Sequence, residues 1–226
     1  MAMVVVKQHQ EDINRYTFTG VLSSKKENEK VLTANVRTTT ITNGNSHTNY
    51  PKLVAFDKQC RAKVNAIPVG CRVEATGFIH SIKPKKDENG RIIVEENLPL
   101  QSFTLTDIRP VERNTPMSNS IEILGTVDEA FVTKSALINI YVIAWIKDHN
   151  GKRYMKRIRT EIFPKKPQKG EEAIDYIQFM VPGARVHIKG HCSTAGPKIT
   201  ISEDKRINEA IEIPREFVIV DEIEKA

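Results

Sequence analysis

The residues with the clearest chemical potential are Asn139, Tyr141, Ile143 and Trp145, which alternate with Ile138, Ile140, Val142, Ala144 and Ile146. The second set is uniformly apolar, as the inner face of a small barrel requires, so the first set is predicted to face outward. An outward tyrosine and the chain's single tryptophan, on one parity of one strand, make a platform for flat rings. Every nucleobase has a π-face, and stacking on an aromatic is worth about 1–3 kcal/mol per base without sequence preference. The plainer alternative is that Tyr141 and Trp145 cover a core edge or an interdomain contact.

Next to these aromatics lies a concentration of charge that the average over the chain hides. From Lys147 to Lys169 there are nine lysines and arginines against Asp148 and Glu161. Lys152 and Lys156 belong to this run, and Arg153, Arg157 and Arg159 share one strand parity, so they are predicted to line one face. A row of guanidiniums beside aromatics suits a groove that tracks a phosphate backbone. A solvated basic edge strand that resists aggregation is the competing reading. In the first half, Asn35 and Arg37 sit on the polar face of a strand, while Tyr50, Lys52 and Phe56 share a parity on the next. Lys83, Lys85 and Lys86 open a long excursion that either wraps a ligand or is a merely solvated hairpin.

Enzyme chemistry finds little support. His187, His191 and Cys192 straddle both faces of a strand without a second ligand cluster, so no metal site is expected. No phosphate-loop or dinucleotide glycine pattern is present, and Cys60 and Cys71 lack the surroundings of a nucleophile. No cofactor is expected.

The elements that must position these residues occur twice. Phe18-Thr19-Gly20-Val21-Leu22 is matched by Ile123-Leu124-Gly125-Thr126-Val127, the two glycines lying 105 residues apart. In the first half the pattern predicts strands over 16–22, 31–41, 50–56, 72–80 and 103–108, with a helix over 58–66. The second half repeats the order with strands over 137–146, 153–163, 185–192 and 217–223, and a helix candidate over 171–180. Asn43-Gly44-Asn45 and His149-Asn150-Gly151 are the corresponding hairpin turns. Residues 83–101 and 194–213 are matching excursions before each last strand, and Phe103 and Phe217 are expected to close the two cores. Arg113 to Asn119 is polar and carries Pro116, so it reads as a linker. Three strands, a helix and two strands is the order of a five-stranded Greek-key barrel, the OB-fold. The expected fold is therefore all-β with short helices: two tandem five-stranded OB-fold barrels, 1–112 and 120–226, joined by linker 113–119.

With Phe18-Thr19-Gly20-Val21-Leu22, the strand Val69-Gly70-Cys71-Arg72-Val73-Glu74-Ala75-Thr76-Gly77-Phe78 and its echo Pro182-Gly183-Ala184-Arg185-Val186-His187-Ile188-Lys189-Gly190 in view, the sequence resembles the single-stranded DNA-binding protein family. The tandem arrangement is similar to that of some bacterial and phage binding proteins and of the large subunit of replication protein A. The resemblance implies a sequence-tolerant, non-enzymatic protein that protects and organises single-stranded DNA in replication, recombination or repair. It departs at the end: bacterial members usually carry an acidic tip closing on an aromatic residue, where this chain reads Val220 to Ala226 straight off a strand.

Bulk properties fit this without demanding it. The net charge is +6 and the pI about 9.2, permitting an anionic partner. Three unclustered cysteines read as reduced thiols, and the first residues lack the basic and apolar regions of a signal peptide. A cytoplasmic location, in a bacterial or virus-infected host cell, is expected, with no membrane partner. Self-association and contact with replication or recombination proteins are the further partners considered. The rival readings are an RNA-binding OB-fold protein and an OB-fold scaffold of a viral or secretion assembly.

Overall fold

The computed structural model describes residues 11–42, 44–81, 85–86, 92–93, 101–133, 136–147, 151–164, 175–200 and 211–226. The first half contributes β1 (Ile13–Glu27), β2 (Leu32–Thr42), β3 (Asn45–Asn49), β4 (Lys52–Ala55), α1 (Lys58–Ala66), β5 (Arg72–Ser81), β6 (Lys85–Lys86), β7 (Ile92–Ile93) and β8 (Gln101–Pro110). The second contributes β9 (Ser118–Val132), β10 (Ile138–Lys147), β11 (Arg153–Ile162), a 3-10 turn (Tyr176–Phe179), β12 (Arg185–Thr200) and β13 (Ile211–Lys225).

Pairing closes the first half on itself. β1 pairs with β2 and β5, β2 with β4, β5 with β8, and the parallel pair β4–β8 completes the ring. The helix stands between β4 and β5, the slot it occupies in an OB-fold. Asp57 starts α1 by accepting from the N–H groups of Gln59 (2.9 Å) and Cys60 (3.0 Å). At the other end Lys25 donates to the carbonyls of Asn65 (2.7 Å) and Ile67 (2.8 Å), where a helix leaves acceptors and partial negative charge. In the second half the same ring forms from β9, β10, β11, β13 and β12, again with one parallel contact, β11–β13.

Gly20 and Gly125, the repeated glycines, mark where the first strand of each ring passes over its neighbour. A Cβ on Gly20 would lie 2.2 Å from the Arg37 carbonyl oxygen, and one on Gly125 would lie 2.4 Å from that of Ile143. No side chain fits there, so the strands can bend into a closed ring only with glycine.

The two rings share a sheet. β1 and β9 pair antiparallel from Ile13↔Leu124 to Thr19↔Ser118, joining all the long strands into one eleven-stranded sheet. This accounts for the first departure from the sequence expectation: Ser118 and Asn119 of the predicted linker extend β9, because their backbone is satisfied by β1. Strand β1 likewise begins earlier and ends later than the apolar run, pairing with β9 at one end and β2 at the other. Of the helix predicted over 171–180, residues 171–174 lie outside the described residues, and the remainder holds only a 3-10 turn, capped by Asp175. The strand predicted over 50–56 is confined to β4, preceded by the β2–β3 hairpin. The excursion at 194–213 continues the β12–β13 ladder, which still pairs at Thr200↔Ile211.

A second seam joins the rings through side chains. Asn119 donates to Thr40 Oγ1 (2.9 Å) and the Cys192 carbonyl (2.7 Å), and accepts from the Cys192 N–H (2.8 Å). Thr194 accepts from the Tyr50 N–H (3.0 Å), and Glu216 from the Lys52 N–H (2.6 Å). Tyr16, Phe18 and Phe103 stack and tilt together in the first core, all fully buried, whereas Phe217 is only half-buried. Apart from Leu124, the described buried apolar residues of both halves form one contiguous cluster.

Candidate nucleic-acid interface

The β10–β11 hairpin carries most of the predicted residues, and its register fixes which of them meet. Tyr141 lies opposite Arg159, Ile143 opposite Arg157, Trp145 opposite Met155 and Lys147 opposite Arg153. Trp145 is 44% exposed, and the Arg153 guanidinium lies 5.5 Å from its ring centre. Tyr141 is half-buried between the Arg157 guanidinium, 3.7 Å over its ring, and the Phe131 ring at 6.3 Å. Phe131, Trp145 and Met155 are all exposed, so an apolar stripe runs along this side of the hairpin.

The three arginines are not equivalent, although they share a parity. Arg157 donates to Asp128 (2.6 Å) and Glu129 (2.7 Å), which reach it across β10 from β9. Arg159 donates to Asn139 (2.9 Å) and to the buried Glu161 (2.7 Å). Arg153 forms no ion pair among the described residues and lies open over Trp145. Asn139, predicted to face outward, is fully buried. It stands at the start of β10 between Phe131 and Glu161, with Arg159 folded onto its side-chain oxygen.

Lys152, Tyr154 and Lys156 alternate with the arginines and lean to the other side of β11. Lys152 lies 5.2 Å from the Tyr154 ring, and Lys156 lies 5.9 Å from the same ring and 5.2 Å from the ring of Phe78 on β5. This side of the hairpin faces the first half across a groove of about 1030 Å³. From the first half the groove is lined by Phe56, Asp57, Phe78, Thr104 and Thr106, and from the second by Trp145, Lys147, Arg153, Tyr154 and Lys156. Its carboxylates are committed. Asp57 caps α1, Asp12 accepts from the Trp145 N–H (2.9 Å) and pairs with Arg185 (2.7 Å), and Glu11 pairs with Lys147. Burial holds the Lys156 ammonium below the usual lysine range, and burial followed by the Lys156 charge lowers His80 beside it.

The other first-half candidates lie elsewhere. Phe56 is 54% exposed in the groove, but Tyr50 and Lys52 engage the seam through their backbones. Arg37 is exposed on β2, and Asn35 donates to Ser24 Oγ (2.8 Å). Lys85 and Lys86 form β6 with their side chains outside the described residues, as is Lys83 altogether. Sequence reasoning missed Phe78 and Tyr154. Tyr154 sits on the parity opposite the arginines, and Phe78 directly follows the strand glycine Gly77; its aromatic ring there was the only signal.

The sheet around the β1–β9 junction has a different character. Arg15 pairs with Glu122, His187 bridges Glu122 (3.0 Å) and Glu224 (2.9 Å), and Lys189 pairs with Glu222 (3.1 Å). Its cations are spent on carboxylates, unlike Arg153.

No protein-family model matches the chain, and no curated protein matches it in sequence. Solved structures do match in shape. The wild-type single-stranded DNA binding protein from Thermus aquaticus superposes with a TM-score of 0.59 at 12% identity, over 96% of this chain and 94% of that one. A deletion mutant of the same protein superposes with a TM-score of 0.58 at 10% identity, covering 96% and 95% of the two chains. The fold is the all-β OB type of these single-stranded DNA binding proteins. No described helix is long and apolar enough to cross a membrane.

Proposed function

We propose that this chain binds single-stranded DNA without catalysis, through two OB-fold domains corresponding to residues 1–112 and 120–226, and protects or organises single strands in replication, recombination or repair. The observation that carries the reading is Trp145, exposed on β10 with an arginine over its ring that forms no ion pair among the described residues, on the strands an OB-fold uses for nucleic acid. Bases would stack on Trp145 and the adjoining Tyr141 and Phe131, while Arg153 and Lys152 face the phosphates. The shape shared with proteins named for binding single-stranded DNA supports the same reading. Among the other predicted contacts, Arg37, Lys83, Lys85 and Lys86 are assigned to the first domain's share of the strand, and Asn139 is not assigned.

Fluorescence anisotropy of labelled dT oligomers at low and high salt tests this, with matched RNA as competitor. Binding that weakens steeply with salt, and that RNA competes for no better than DNA, is expected. Absence of binding at low salt would overturn it in favour of a scaffold.

A further inference from the structure

We infer that the groove between the two halves is a second binding segment for the same single strand, taking bases against Phe56, Phe78 and Tyr154 and a phosphate at Lys156. The inference rests on the single-stranded DNA reading but adds a site made by neither half alone. Phe56 and Phe78 come from the first half, Tyr154 and Lys156 from the second.

Charge and chemistry select the occupant. Each groove carboxylate already serves a helix cap, a backbone N–H or a cation. Arg153 and Lys156 make no ion pair among the described residues, so the positive charge left over faces the groove. The Lys156 ammonium rests on two rings and has lost part of its hydration, and an arriving phosphate would restore a charged partner. An anionic ligand that also offers flat faces to three aromatics is a nucleotide chain with its bases unstacked. A volume of about 1030 Å³ stands at the top of the roughly 300–1,000 Å³ range that holds a drug-sized ligand, room for more than one nucleotide. Continuity gives the path: Trp145 belongs both to the outer stripe of β10–β11 and to the wall of the groove, so a strand leaving the stripe enters it there.

The test compares wild type with Phe56→Ala, Tyr154→Ala, Lys156→Gln and Trp145→Ala by dT anisotropy, circular dichroism melts confirming that each is folded. Loss of one stacked base predicts about a 5- to 150-fold weakening for Phe56→Ala or Tyr154→Ala. Lys156→Gln should reduce the slope of log K against log salt by about 0.7. Ultraviolet crosslinking of iodouracil-containing oligomers to wild type should place adducts on Phe78 or Tyr154. If wild type binds and only Trp145→Ala weakens it, with no groove adducts, the function stands and this inference falls. If wild type does not bind, the functional reading itself fails. Sedimentation showing that the groove substitutions dissociate a dimer while leaving DNA affinity intact would assign the groove to a second copy and overturn the inference.

Discussion

Lys156 on β11 holds its ammonium 5.2 Å from the ring centre of Phe78 on β5, a contact that crosses from one half of the chain to the other. Such a cation–π pair contributes about 0.5–2 kcal/mol, the upper end applying where water is excluded. It also keeps a charge at the groove that no carboxylate among the described residues pairs with. Lys156→Met, which retains most of the side-chain volume, is expected to stay folded with a stability change within about 1 kcal/mol by urea titration, because the lost cation–π attraction is offset by no longer burying an ammonium. Its DNA affinity should become less sensitive to salt.

Arginines that share a strand parity should behave differently. Arg153→Gln is expected to lower the salt slope of single-strand binding by about 0.7, the value for one phosphate contact. Arg157→Gln should leave that slope unchanged, because its charge already answers Asp128 and Glu129. Its cost should be in stability instead, by about 1 kcal/mol or less. Titrations at four salt concentrations distinguish the two.

The repeated glycines offer a test of the fold alone. Gly20→Ala or Gly125→Ala drives a methyl to within 2.2 or 2.4 Å of a backbone oxygen, so strands must separate. A loss of about 2–3 kcal/mol in urea unfolding is expected for each. Gly44→Ala meets nothing within 4 Å and is strained only by its positive φ of 75°, so it should cost about 1 kcal/mol.

Glu216 makes the seam sensitive to pH. Burial pushes its carboxyl up to about 7, the Lys52 N–H offsetting this only in part. An acid whose folded value is raised binds its proton more tightly in the folded state. Its stabilising contribution is therefore complete below the ordinary value of 4.5 and is lost as pH rises toward 7. Stability should fall over that window by at most about 1.4 kcal/mol per pH unit. Glu216→Gln keeps an oxygen for the Lys52 N–H and should flatten the profile, as thermal melts between pH 4.5 and 8 would record.

Much of this architecture was legible from residue order. The glycines at 20 and 125, the helix after Asp57 and the alternation along β10 all report local geometry, which neighbouring residues dictate. Trp145 was legible for the same reason, since one strand's alternation decides its face. Asn139 shares that alternation yet is buried, because Arg159 and Glu161 on the next strand close over it. Alternation says which side of a strand a residue takes, not what another part of the chain brings to that side. Phe78 and Tyr154 were missed on the same ground: their lining one groove around Lys156 depends on the rings sharing a sheet. The partners of Arg157 come from Asp128 and Glu129, where a register shift between β9 and β10 turns consecutive carboxylates toward one guanidinium.

The shared ladder between β1 and β9 has a consequence for how a strand would be held under the proposed function. Two modules on a loose tether meet a ligand at distances set by chance, and part of the binding energy goes into ordering the tether. Here the distance between Phe78 and Trp145 is built into hydrogen-bonded backbone from Ile13 to Thr19. Under the proposed function the protein would act as a fixed gauge: a single strand would have to adopt its curvature, and stiff or paired stretches that cannot do so would be turned away at no conformational expense to the protein.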